Sequence, residues 1–445
     1  MKVINKLKYE NFIVGNLNYN KIIENTLIGK FLPAGQYSFI KTYKNNLYLV
    51  RDPLGINKLF YSLKSNKLIC ANNINDILTK SIKLDKIYSC PPGHMININK
   101  KIIYGKDLSS INISNKFNIS EHQINIKNKL KKYFHQLHSK HKKKDVVVCL
   151  SGGLDSTIIL YFSKLYFKKV TATSFSYLSE NEMFNLLNQE KINNYNKKLL
   201  TLSDDFRSAS SIANYLKINF YPIFKSSKSV IYNLKNVLNL VQDWRDFNVH
   251  CAIVNLFIAE NLRTKFDPEK TIILTGDLLN EFVCDYREET VGKNKYYYQP
   301  KISIEQRRRF YVRGLDAGDR EIGVFNAFGY KVFQPFSILA GNYMKIPQKY
   351  LKSINSKREL NGSLLNKKIL SLTSKAKSRA QVGGKDGGTL AEFDRLNINQ
   401  KFLKDLWLRN LKTFDSKTKT STIFDIIQFG KYKSDTKLKK IVRTN

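Results

Sequence analysis

Five residues of strand-forming character, Val146-Val147-Val148-Cys149-Leu150, run into a tight acid-bearing turn, Ser151-Gly152-Gly153-Leu154-Asp155-Ser156, and leave it as an apolar run, Thr157-Ile158-Ile159-Leu160. The first run reads as a buried parallel strand and the last as the start of a helix. Backbone N–H groups in such a turn, with the exposed first turn of the helix, form a pocket for polyphosphate. Gly152 and Gly153 let the backbone approach an anion closely. Ser151 and Ser156 offer hydroxyls. Asp155 would repel bare phosphate, so its presence makes sense only with Mg²⁺ between them. An ordinary strand–turn–helix with small residues in the turn is the competing reading. The position of the six residues, after VVV and before the apolar helix, favours the phosphate site.

The bulk numbers bound the rest. A chain of 445 residues suits two domains. No stretch of 18 or more apolar residues is present, so nothing is expected to span a membrane. The N-terminus lacks the apolar block of a secretory signal. The five cysteines, Cys70, Cys90, Cys149, Cys251 and Cys284, are scattered without a CxxC pair. They read as reduced thiols of a cytoplasmic protein rather than a disulfide frame or a zinc site. His135, His138 and His141 recur at helical spacing among lysines and read as an exposed helix face. The net charge of +39 points to a polyanion such as RNA. However, the lysines are spread along a chain rich in Lys, Asn and Ile, the pattern of compositional drift, so a nucleic-acid partner is open but not favoured.

Residues 1–105 read as short strands broken by turns, among them Phe39-Ile40, Leu47–Val50, Leu59–Tyr61 and Leu68–Cys70. Pro91-Pro92-Gly93-His94 reads as a turn and residues 106–119 as a linker. A helix is expected from Ser120 through Leu137. From Val146 onward strands and helices alternate, which predicts a parallel sheet with right-handed crossovers. Its further strands are expected at Val170–Ser176, Asn219–Phe224 and Ile272–Leu274, with a helix over Phe206–Leu216. Beyond about residue 300 helices dominate.

SGGLDS is similar to the pyrophosphate-loop signature of the ATP-pyrophosphatases; no GK[ST] follows, so it is not a Walker loop. Together with other strings it resembles the class-B asparagine synthetase family, which includes the β-lactam and carbapenam synthetases and the lasso-peptide cyclases. Gly35–Phe39, Leu47–Ile56 with its RDPLG and Leu59–Tyr61 resemble that family's amidotransferase domain, and Pro91–His94 its PPGH turn. Leu274-Thr275-Gly276-Asp277-Leu278-Leu279-Asn280-Glu281 through Tyr286 resembles LSGxGxDExxxGY. Gln334-Pro335-Phe336 resembles the end of ExRxPF, and Lys377–Gly388 the glycine-rich C-terminal stretch. The match covers most of residues 35–390. It implies an α/β protein: an N-terminal Ntn-hydrolase-like αββα domain over 1–115, and an ATP-pyrophosphatase synthetase domain over 120–445. The latter would carry an adenine-nucleotide α-hydrolase-like parallel sheet and a helical C-terminal region.

The departures from the family are informative. Its glutamine-hydrolysing members carry a cysteine after the initiator methionine; here Lys2 stands there, so no glutaminase activity is expected. The acid that helps hold Mg²⁺ becomes Asn280, with Asp277 and Glu281 as substitutes. The Glu and Arg of ExRxPF become Lys331 and Phe333, unlike an aspartate pocket. At the place of the catalytic lysine the best register puts Arg379, with Lys377 and Lys385 beside it.

The resemblance implies an ATP- and Mg²⁺-dependent ligase. A carboxylate attacks the α-phosphorus of ATP, pyrophosphate leaves, and an amine displaces AMP to give an amide. Ser151, Gly152, Gly153, Leu154, Asp155, Ser156 and Gly276 would hold the pyrophosphate end. Ser174, Phe175 and Ser176 would seat adenine, Asp155, Asp277 and Glu281 the metal, and Arg379 and Lys377 the developing charge. Tyr286 with Glu288, or Glu321, are the candidates for the general base. The substrates would be small-molecule or peptide carboxylates and amines, and a homodimer is one open assembly. The alternatives are an RNA-linked modification enzyme of the same loop type and a relative that kept the fold and lost the chemistry.

Overall fold

The computed structural model of the chain describes residues 1–15, 17–179, 181–183, 204–285, 289–291, 294–296, 303–304, 306, 319–351, 356–374, 388–412 and 440–442. The N-terminal part comprises β1 (Lys2–Lys6), β2 (Phe12–Ile13), α1 (Tyr19–Leu27), β3 (Gly35–Gln36), β4 (Ser38–Tyr43), β5 (Asn46–Arg51), β6 (Phe60–Lys64), β7 (Lys67–Ala71), β8 (Tyr88–Ser89), β9 (His94–Asn97) and β10 (Ile102–Gly105). One sheet runs β1-β7-β6-β8. The other runs β10-β9-β5-β4, and the strand Lys440–Val442 lies parallel to β10 on its outer edge. Strand alternation sorts the side chains into layers. Leu47, Leu49, Ile96 and Ile103 meet Tyr61, Leu68 and Cys70 between the sheets. Phe39, Tyr48, Val50 and Met95 face Ile22 and Ile23 of α1. Phe60 and Ala71, on the far face, join the main core of the molecule. The unit is therefore the β-rich body expected, with α1 covering one face and the main body the other.

The RDPLG string is a structural turn. Asp52 is fully buried and accepts from Leu54 N and Ile56 N at 3.0 Å each and from Asn57 N at 3.0 Å. Arg51 donates to Gly55 O at 2.6 Å and to Cys90 O at 3.0 Å. Buried charge is tolerated here because backbone partners surround it.

The second part starts with α2 (Ile119–Lys140), capped by Asn118, whose side chain accepts from Glu121 N. Then come β11 (Asp145–Cys149), α3 (Leu154–Tyr166), β12 (Val170–Leu178), α4 (Asp204–Tyr215), β13 (Asn219–Ser226), α5 (Ser229–Val241), α6 (Asp246–Lys265), β14 (Thr271–Leu274) and α7 (Leu279–Val283). A small hairpin, β15 (Glu289–Val291) and β16 (Asn294–Tyr296), precedes α8 (Val324–Ala327), β17 (Lys331–Phe333), α9 (Ala340–Met344), α10 (Ser356–Asn361), α11 (Lys367–Leu372), α12 (Gly388–Arg395) and α13 (Gln400–Asn410). The sheet order is β13-β12-β11-β14-β17, parallel throughout. The chain winds outward from β11 to β13, then crosses back to lay β14 on the other side of β11. Between β11 and β14 the winding reverses, and in an open parallel sheet the crevice outside the strand ends at such a point is where ligands bind.

Two expectations need correction. His135 is exposed, but His141 is buried against Phe333, with ring centroids 5.1 Å apart, and burial pushes its pKa down to about 4. The helix ends at Lys140, so His141 turns inward instead of continuing the exposed face. The stretch 106–119 is more than a linker: it contains a 3₁₀ turn, buries Leu108 and bonds Ser114 N to Lys345 O at 2.9 Å.

The two parts share one apolar core in which Phe12 packs edge-on against both Tyr133 and Phe333. A polar contact fixes the same junction. β17 is the edge of the main sheet, and its outer backbone groups need partners. The buried Gln36 amide supplies them, donating to Val332 O at 2.6 Å and accepting from Gln334 N at 2.9 Å. One side chain of the N-terminal unit thus pairs with β17 as a neighbouring strand would.

Candidate active site

The pyrophosphate loop leaves β11 at the winding reversal. Leu150 N, the last backbone donor before the turn, bonds Thr173 O of β12 at 2.7 Å. Inside the turn the two serines bond each other: Ser156 Oγ lies 3.1 Å from Ser151 Oγ and accepts from Ser151 N at 3.1 Å. Thr157 Oγ1 closes the first turn of α3 onto Gly153 O at 2.7 Å. Gly153 is the cap of α3, with φ −75° and ψ 168°, and no side chain caps the helix N-terminus. That end of α3 presents the positive end of the helix dipole, and Ser151 at the tip of the turn is exposed.

The glycines differ in what they do. Gly152 has φ +78°, and a Cβ there would meet Asp205 O at 2.3 Å and Ala209 N at 2.8 Å, both in α4. Gly276, after β14, sits so close to α3 that a Cβ would meet Ser156 N at 2.7 Å. These contacts clamp the loop between α4 and the turn after β14. Gly153 has only Ser151 Oγ, at 3.4 Å, beside its Cβ position.

Asp155 is the loop's acid, and its surroundings are the main finding beyond the sequence. Its Oδ2 accepts from Lys357 Nζ of α10 at 2.7 Å, while its Oδ1 is buried with no hydrogen-bond partner among the described residues. Lys357 Nζ also donates to Asn280 Oδ1 at 2.8 Å and lies 3.5 Å from Asp285 Oδ2. Burial alone would discharge this ammonium, but the Asp155 and Asp285 carboxylates hold its pKa above the usual lysine value. Lysine 357 was not singled out from sequence. It lies 202 residues from Asp155, and no spacing or motif marks it.

Asp277 and Glu281 are the residues expected to substitute for Asn280. They face Arg320, whose guanidinium lies 3.4 Å from Asp277 Oδ1, 3.0 Å from Glu281 Oε1 and 2.9 Å from Glu321 Oε1. The turn that aims them is unusual: buried Leu278 has φ +90°, a conformation that costs a branched side chain of order 1–3 kcal/mol. Gln334 Nε2 donates to Glu321 Oε2 at 3.0 Å. Burial, then the neighbouring Asp277 carboxylate, drives the Glu321 pKa well above the usual range. Burial also raises that of Asp277, against the pull of Arg320. Glu321 thus accepts from both Arg320 and Gln334 in a buried cluster that no sequence spacing marks.

Ser174, Phe175 and Ser176 are buried on β12 just past Thr173, the last residue paired with β11. The Phe175 ring stacks on Phe257 of α6, with centroids 6.0 Å apart. The backbone of these residues therefore extends beyond the β11 end, beside the loop. Lys331 and Phe333 do not line the crevice: Lys331 pairs with Glu10 at 3.3 Å, and Phe333 is buried against Phe12. Tyr286, Glu288, Lys377, Arg379 and Lys385 lie outside the described residues. Two described residues flank the last three in sequence. Ser374 N donates to Gly152 O at 2.9 Å, and Thr389 Oγ1 lies 2.5 Å from Tyr177 OH of β12.

Asp155 tests the fit of a divalent metal. Its unpartnered buried Oδ1 suits a metal contact, whereas Asn280 and Asp155 Oδ2 are already engaged by an ammonium. Among the described residues no group of three or more His, Cys, Asp or Glu side chains forms a metal cage, and no helix is long and apolar enough to cross a membrane.

Residues 145–219, from β11 through the start of β13, match the family model of the queuosine biosynthesis protein QueC. No curated protein matches the chain. Among solved structures, NMN synthetase from Francisella tularensis is 14% identical, with 73% of this chain and 97% of that one covered, at a TM-score of 0.31. Glutamine-dependent NAD⁺ synthetase from Acinetobacter baumannii, solved with ADP, is 11% identical over 94% of this chain and 65% of that one, at 0.30. The U34-tRNA thiolase NcsA from Methanococcus maripaludis is 12% identical over 69% and 89%, at 0.29. The loop, the sheet and the family match agree on a class: a pyrophosphate-loop domain of the adenine-nucleotide α-hydrolase type.

Proposed function

We propose that the chain is an ATP-dependent ligase that primes a carboxylate as its adenylate, releasing pyrophosphate, and passes the acyl group to an amine with release of AMP. One observation carries this reading: SGGLDS sits at the winding reversal of the parallel sheet, with Gly152 at φ +78° and Asp155 holding an unpartnered buried oxygen. The Ser151 and Ser156 hydroxyls and the N-terminus of α3 hold the pyrophosphate end of ATP. The unpartnered Asp155 Oδ1 would hold a divalent cation, which would supply positive charge against the phosphates. The Lys357 ammonium adds a fixed positive charge beside it. The backbone at Ser174–Ser176 seats adenine. The buried Asp277 and Glu321 carboxyls, both with pKa raised by burial, suit proton removal from an attacking ammonium. Lys377 and Arg379 meet the leaving charge. The N-terminal unit, with Lys2 in β1 bonded to Asn66 O, serves as a scaffold without glutaminase activity.

ATP–pyrophosphate exchange over a panel of carboxylates tests this. Exchange with one of them, lost in Asp155→Ala, is the expected result. A folded protein that binds no nucleotide in the presence of Mg²⁺ sinks it. A second reading, an RNA-linked enzyme, has the QueC match and the +39 charge in its favour. Filter binding of several RNAs against salt separates the two: charge alone gives a linear loss with log salt and no preference among RNAs.

A further inference from the structure

The cation that faces Asp155 in this structure is a side chain. Lys357 Nζ is held by oxygens from three other places in the fold: Asp155 in the first turn of α3 at 2.7 Å, Asn280 in α7 at 2.8 Å and Asp285 just after α7 at 3.5 Å. An ammonium has three donors, and these oxygens match them. Its side chain is 16% exposed and that of Asp155 13%, so the pair is shielded from bulk water.

The backbone that delivers Lys357 is fixed from several sides. Asn361 Nδ2 donates to Lys357 O at 2.9 Å, and Asn361 Oδ1 accepts from the buried Tyr343 hydroxyl. Arg358 donates to Leu370 O at 2.7 Å and to Thr373 Oγ1 at 3.1 Å. Gln123 of α2 donates to Glu359 O at 2.6 Å. This is a preorganised charge, unlike a surface lysine that happens to meet an acid.

Charge accounting gives the anchor its meaning. A divalent ion bridging two elements around a phosphate needs hard anionic oxygens from both. On the α3 side only Asp155 Oδ1 is left. On the α7 side the Asn280 amide and the Asp285 carboxylate already face Lys357, and the Glu281 carboxylate is turned to Arg320 through Oε1, with its Oε2 buried and without a hydrogen-bond partner among the described residues.

We infer that Lys357 is the built-in second cation of this site, so that the chain takes its nucleotide with one divalent metal and uses an ammonium where a second metal would otherwise bridge α3 and α7. This deepens the proposed function and rests on the loop binding a nucleotide.

Counting bound metal tests the inference without turnover. The full-length protein is titrated with Mn²⁺ and the uncleavable α,β-methylene analogue of ATP, and free Mn²⁺ is read by electron paramagnetic resonance. One Mn²⁺ per bound nucleotide is expected for the wild type and for the charge-keeping Lys357→Arg. Two in the wild type overturn the inference. In Asn280→Asp, a count that stays at one shows that the ammonium excludes the second ion. A count of two there shows that the amide at position 280 sets the number and overturns the role given to Lys357. No binding of the analogue with any Mn²⁺, by folded protein, defeats the nucleotide reading itself, a different failure from a wrong count.

Discussion

Gly152→Ala is the sharpest perturbation of the loop. The new Cβ would lie 2.3 Å from Asp205 O and 2.8 Å from Ala209 N, both backbone atoms of α4, and 2.8 Å from Ser208 Cβ. None of these can swing away as a flexible side chain could, so the first turn of α4 or the loop must shift. Holding a non-glycine residue at a left-handed φ adds about 1–2 kcal/mol. Overpacking against a fixed wall adds about 1–3 kcal/mol. The expected loss is thus roughly 2–5 kcal/mol of stability, or a displaced loop that no longer binds nucleotide. Gly153→Ala is the internal control. Its φ is −75° and its Cβ position meets only Ser151 Oγ at 3.4 Å, an ordinary contact. It should cost under about 1 kcal/mol, as for an unstrained substitution. Any loss of nucleotide affinity in that variant then reports space needed by the ligand. Urea unfolding, followed by the fluorescence of the packed pair Trp244 and Trp407, gives the stabilities. Calorimetry with the ATP analogue gives the affinities. Equal losses at the two positions, or a loss below about 0.5 kcal/mol at 152, would refute the clamp.

Gln36→Leu leaves Val332 O and Gln334 N of the β17 edge without their partner, at about 1–3 kcal/mol each, and a melt against wild type should show it. Since Gln334 also holds Glu321, the same variant should move the pH profile of pyrophosphate exchange, which a purely structural defect would leave in place. The Glu321 carboxyl, raised first by burial, contributes stability that is complete below its ordinary pKa of 4.5 and is lost as pH rises through the raised value. Glu321→Gln should therefore flatten the stability curve on the alkaline side of pH 4.5, and an unchanged curve counts against the raised pKa. Buried His122, His141 and His250 have pKa values pushed down to about 4, about 4 and about 3. Their stability is present above the ordinary histidine value of 6.5 and is lost as pH falls toward those values, so His250→Phe should blunt unfolding between pH 6.5 and 4.

Local patterns in the sequence were enough for elements whose pattern is dense. Val146–Leu150, Val170–Ser176, Asn219–Phe224 and Ile272–Leu274 correspond to β11 to β14, with β11 running Asp145–Cys149, and the helix expected from Ser120 became α2. The loop was legible for the same reason: strand, glycines, acid and helix lie within fifteen residues, and their chemistry depends on their being adjacent. His141 was misread because helical spacing says nothing about where a helix stops, and here it stops one residue earlier. Asp277 and Glu281 were read as metal ligands; their pairing with Arg320, 43 and 39 residues away, left no trace in the sequence around them.

The order of residues by itself determined the parallel sheet, the glycine-rich turn and the acid within it. Only the tertiary structure decided which positive charge that acid meets. Lys357 reaches Asp155 across 202 residues, and Gln36 reaches Val332 across 296. Hydrogen bonds and ion pairs act over about 3 Å of space whatever the separation along the chain. A contact made by folding two distant helices together therefore leaves no periodicity in the sequence, whereas a turn made by its own neighbours does.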